Sequence, residues 1–198
     1  MKSVTKPSSK QIMRGRGIGA LVGTLIGAGW MAYGLRPFPD IARDLGGLAG
    51  SVAAAWLLVD SLKSIASAKR LPAPNAASQS ANHRIWTLFW INFAAEIVLL
   101  NVAINFLAQP ALHIYWISAI SLVVGLHFLP MAIFFREPSY WHCGAAMIGM
   151  AGATTLVLRS GVASPELYTA GEALVNAVIL GSVAAWGIQP ARLPRRFT

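Results

Sequence analysis

Few side chains in this sequence could do proton or ligand chemistry, and most of those lie inside long apolar runs. Glu96 stands near the middle of the run Ile85–Leu107, with Asn92 one helical turn before it. His127 lies within the next run, and Glu172 and Asn176 lie one turn apart in the last. A charged group at the centre of a membrane helix costs about 2.5–3.5 kcal/mol on insertion scales, so the bundle must receive it. Glu96 falls roughly 16 Å into its run at 1.5 Å per residue, and His127 about 14 Å from the following turn. The two depths agree, and a Glu96–His127 contact is geometrically open. A histidine–carboxylate pair in a low dielectric can exchange protons near neutral pH.

Asn101 and Asn105 point to the side of that helix opposite Glu96, by its 3.6-residue period. Polar on two sides, the third helix is expected at the centre of the bundle. The intramembrane polar site would then comprise Glu96, His127, Asn92, Asn101, Glu172 and Asn176. His113 and His127 share one face of the fourth helix, and His142 lies on the fifth. A bis-haem site needs a matching histidine pair on a second helix, which is lacking. His127 and His142 stay as weak haem-ligand candidates, and hydrogen-bonded histidines within a bundle are the simpler reading. No cofactor and no metal are expected: Cys143 is the only cysteine, which also rules out an intrachain disulfide. No nucleophile motif or paired loop acids point to an enzyme.

The elements that carry these residues read as membrane spans. The chain has 198 residues, 56% hydrophobic and only 12% charged, with mean hydropathy +0.57. Soluble domains carry about 25% charged residues. The net charge of +9 would suggest nucleic acid in a soluble protein, but here the bases lie in loops and tails, so no nucleic-acid partner is expected. The pattern predicts an all-α polytopic bundle of six transmembrane helices, at about 18–35, 45–62, 85–107, 111–135, 139–158 and 166–188. A basic tail (1–17) precedes the bundle, a flexible polar linker spans 64–84, and a second basic tail (189–198) follows. The first run is read as a retained helix, not a cleaved signal peptide.

Six spans put both termini on one side. That side collects 13 of the lysines and arginines, against 3 (Arg36, Arg43 and Arg159) opposite. The bias predicts cytoplasmic termini in a cell membrane. Gly15, Gly19, Gly23 and Gly27 recur every fourth residue and predict a close helix-packing face, with Gly144, Gly149 and Gly152 doing the same on the fifth helix. The surroundings of Glu172 and Asn176 echo those of Glu96 and Asn101, which would make the halves 3+3 inverted repeats, as in many transporters.

The stretch Val124-Gly-Leu-His127-Phe-Leu-Pro130, followed by Phe134-Phe-Arg136, Tyr140 and Gly144, resembles a signature of small bacterial multi-pass integral membrane proteins of uncharacterised function. The resemblance covers mainly helices three to five. It implies a multi-helix protein of the bacterial inner membrane and brings no activity with it. From the polar interior itself, the expected function is transporter-like, for a small solute or ion, with a proton-coupled step. The alternatives are a non-catalytic scaffold or accessory subunit and a membrane haem protein. In the scaffold reading the glycine faces dock a second copy or a membrane-complex partner. In every reading the lipid bilayer is the first partner.

Overall fold

Six long helices follow one another through short turns. In the computed structural model they are α1 (Ser9–Gly34), α2 (Asp40–Ala68), α3 (Ala76–Leu107), α4 (Trp116–Phe135), α5 (Pro138–Arg159) and α6 (Pro165–Ile188). A single 3-10 turn, His113–Tyr115, leads into α4. The structure describes residues 9–73, 76–135, 137–161 and 164–188. Among them there is no strand, and each of the six helices is long and apolar enough to cross a membrane. The chain is a polytopic all-α membrane protein.

The helices overrun their apolar spans. Helix takes up much of the expected linker 64–84, since α2 continues to Ala68 and α3 starts at Ala76. Alanine, serine, glutamine and lysine keep a helix going at modest cost once an apolar span has nucleated it, so polarity alone misplaced the ends. α1 likewise starts at Ser9, within the expected basic tail. The tail residues 1–8 and 189–198, and Arg136, lie outside the described residues. Lys10 Nζ donates to the Leu71 carbonyl at 3.4 Å, and Arg16 pairs with Glu137 at 2.9 Å. These contacts bring the start of α1, the α2–α3 turn and the α4–α5 turn to one end of the bundle.

Four helices share the core. Trp30 of α1, Ile117 and Val124 of α4, Cys143 and Met147 of α5, and Ala173, Ala177 and Leu180 of α6 form one buried cluster. Lipid tails are as apolar as these side chains, so close van der Waals contact, rather than exclusion of water, must hold the helices together. The backbones accordingly come close at several crossings, two of them the tightest. A Cβ on Gly144 would lie 2.7 Å from the Gly125 carbonyl oxygen, and one on Gly34 would lie 2.9 Å from that of Ala170. α2 packs outside α1 and α6, and α3 packs outside α4.

The predicted glycine stripe is only partly used. Gly23 and Gly27 face α6, and Gly19 faces the Tyr140 hydroxyl. Gly15 departs from the expectation, with no atom within 4 Å of where its Cβ would be, and Gly149 and Gly152 are open in the same way. Close packing needs a partner at the same height, which a four-residue spacing does not guarantee. The two halves of the chain are also packed unequally. α1 meets α2 as α4 meets α5, and α3 meets α4 as α6 meets α1. However, α5 packs on α6, whereas α2 and α3 make no substantial contact among the described residues.

Candidate functional site

The polar residues form two separate groups, divided by α4. The first lies on the α3–α4 seam. Glu96 Oε2 is 3.2 Å from His127 Nδ1, and the two side chains are only 12% and 9% exposed. Asn92 Nδ2 lies 2.9 Å from the same Nδ1 and donates to the His127 carbonyl at 3.0 Å. Asn92 and Glu96 are four residues apart, so one turn of α3 presents both to one ring.

This geometry gives His127 Nδ1 two competing neighbours. The Asn92 amide is a donor there and needs a bare ring nitrogen. The Glu96 carboxylate is an acceptor and needs a nitrogen that carries hydrogen. An Nδ1 that carries hydrogen donates to the Glu96 carboxylate and loses Asn92, whereas a bare Nδ1 accepts from Asn92 and, once Glu96 is protonated, from the carboxyl as well. Pro130 lies three residues beyond His127, inside α4. A proline cannot donate to the carbonyl four residues back, here that of Leu126. The Asn92 bond to the adjacent His127 carbonyl therefore ties α3 to the weakest turn of α4.

Aromatic rings close the seam toward the end that carries Arg16 and Glu137. Phe93 meets the His127 ring edge-on at 6.5 Å, and Phe89 stacks with Phe93 at 6.1 Å. Phe89 in turn contacts Phe135, which contacts Tyr140. Edge-to-face pairs of this kind are worth about 0.5–1.5 kcal/mol each beyond simple area burial. Aromatic packing and the polar latch together hold α3 on α4.

The second group lies between α4 and α6. Ser118 donates to Glu172 Oε2 at 2.7 Å, and Asn176 donates to the Ser121 hydroxyl at 2.6 Å. Ser121 donates its own hydroxyl hydrogen to the Ile117 carbonyl at 3.0 Å. Glu172 is 1% exposed and Asn176 0%. Nine residues along α4 separate Ser118 from His127, which is roughly 14 Å of rise and half a turn of rotation. The two groups therefore occupy opposite faces of α4 at different depths.

The sequence-predicted residues divide accordingly. Asn92, Glu96 and His127 come together, and Glu172 and Asn176 come together elsewhere. Asn101 joins neither group. It lies on the exposed face of α3 and donates to its own Ile97 carbonyl at 2.8 Å, as Asn105 does to Asn101 at 2.7 Å. The central placement expected for α3 is corrected by this arrangement, since the helix leans on α4 and leaves its outer face open. Its second polar side is satisfied by its own backbone, not by a neighbouring helix.

Ser118 and Ser121 are the residues that sequence reasoning missed. Serine suits any helix face, and the only available signal was their three-residue spacing opposite Glu172. His142 is exposed, and its Nδ1 lies 3.0 Å from the Pro138 carbonyl, while His127 turns to α3. Among the described residues no group of three or more histidine, cysteine or acidic side chains is placed to hold a metal ion. Comparison with protein-family models, curated proteins and solved structures gives no match.

Proposed function

We propose that this chain is a transporter-like protein for a small solute or ion, with a proton-linked step on the α3–α4 seam. The observation that carries the reading is the double engagement of His127 Nδ1, facing Asn92 and Glu96 at 2.9 and 3.2 Å. The number and placement of protons on the pair set whether the ring holds Asn92, Glu96 or both. Because α4 is the one helix that α3 packs against substantially among the described residues, that change acts directly on the main contact that positions it. A proton-driven shift of an outer helix against a fixed core is a plain way to couple protonation to access.

The charge bias and the resemblance to small bacterial membrane proteins support a place in the bacterial inner membrane, with both termini cytoplasmic. In the alternative scaffold reading, Gly23 and Gly27 are taken up by α6 within the chain, while Gly15, Gly149 and Gly152 stay open to a second copy or a partner.

The test is proton movement in proteoliposomes with a trapped pH-sensitive dye, challenged with a panel of salts, sugars and amino acids. Wild type should give a solute-dependent signal. Glu96→Gln and His127→Ala should fall to the level of empty vesicles while remaining folded. If both variants match wild type, the reading fails.

A further inference from the structure

Three buried side-chain atoms among the described residues have no hydrogen-bond partner: Trp116 Nε1, Glu172 Oε1 and Asn176 Oδ1. Two of them belong to neighbouring positions on one turn of α6, and both are acceptors as they stand. An unmet acceptor buried this deeply is destabilising, and more so if it is charged. No ion pair with Lys, Arg or His reaches Glu172 among the described residues. The surrounding groups are Ser118, Ser121 and the apolar core, none of which can neutralise a carboxylate.

A bridging water would fill both acceptors but leave the negative charge buried. A positive charge would meet both needs. A hydrogen on the free carboxyl oxygen would turn it into a donor, and the free amide oxygen one turn along α6 is an unmet acceptor. The rest of the chain then closes without a gap. Asn176 donates to Ser121, Ser121 to Ile117, and Ser118 to the other Glu172 oxygen. A sodium ion would use the same two free oxygens.

We infer that Glu172 and Asn176, braced by Ser118 and Ser121, form a binding site for one small monovalent cation, the proton or sodium, on the α4–α6 seam. The site is separate from the Glu96–His127 latch and does not depend on the transport reading. It also gives the core a reason to keep an acid where an apolar residue would pack as well.

The test uses the full-length protein in nanodiscs, in a Glu96→Gln background so that only one deeply buried acid remains. Infrared absorption reports a protonated, hydrogen-bonded carboxyl, and equilibrium dialysis against radioactive sodium reports a bound metal ion. Glu172→Gln places an amide donor where the cation would be, so it should fold normally. Loss of the carboxyl band in Glu172→Gln identifies the proton as occupant. Loss of one tightly held sodium per chain identifies sodium. Glu172→Met, similar in length and apolar, serves as a second variant should the amide fail to fold. If wild type holds no sodium and neither variant changes the carboxyl band, the inference is overturned. Neither readout involves flux, so its outcome stands apart from that of the proteoliposome test.

Discussion

α4 carries polar residues on two faces, and the two faces are built differently. Toward α6, Ser118 and Ser121 meet Glu172 and Asn176 inside a core shared by four helices. Toward α3, His127 meets Asn92 and Glu96 on a seam between two helices. Both faces bury a carboxyl group in the membrane interior. In the core the acid is fixed by its surroundings, whereas on the seam it is itself much of what fixes the helix. A buried acid can thus act as a fixed post or as a latch, and the number of helices around it decides which.

The sharpest way to break this contrast is to empty the core side. Glu172→Ala removes the acceptor of Ser118 and leaves a cavity between α4 and α6. It should lower the stability of the whole bundle by about 2–4 kcal/mol. Unfolding followed by SDS titration should show one cooperative transition, shifted to lower denaturant. Loss of a single helix, with the rest unchanged, would mean that the core is not one unit.

The seam should respond locally. Asn92→Leu removes the donor to both His127 Nδ1 and the His127 carbonyl. Interhelical hydrogen bonds of this kind are worth about 0.6–2 kcal/mol in a membrane. Hydrogen exchange should therefore rise along residues 85–107 of α3, while α1 and α6 keep their protection. If exchange rose equally in all six helices, the latch would be part of the core and the contrast would be lost.

Much of this arrangement was legible beforehand, for physical reasons that differ from residue to residue. The six spans follow from hydropathy, which reports directly on the lipid solvent. The Glu96–His127 pairing follows from depth alone, because helix rise converts position into distance from the membrane surface. Depth says nothing of rotation or neighbours, and there the reading ran out. It joined Glu172 to Glu96 in one site, although α4 stands between them. Asn101 and Asn105 drew α3 to the centre because asparagine in lipid was assumed to need another helix. Their own carbonyls one turn back serve instead. Gly125 and Gly34, which set two of the closest approaches, belong to no repeated spacing and so left no trace in the pattern.

The smallest effect concerns that misleading asparagine and marks the outer limit of the seam. Asn101 lies in a shallow surface groove of α3 with Ile97, Val98, Val102 and Phe106, on the face turned away from α4. Its one bond returns to its own helix, so its removal breaks no contact between helices. Asn101→Leu should change stability by no more than about 0.5 kcal/mol, as for substitutions away from buried features. Proton movement in proteoliposomes should be unchanged, in contrast to Glu96→Gln five residues earlier on the same helix. A loss of flux in Asn101→Leu with the fold intact would extend the working surface of α3 to its outer face. The α3–α4 latch would then be one side of a larger site, not the whole of it.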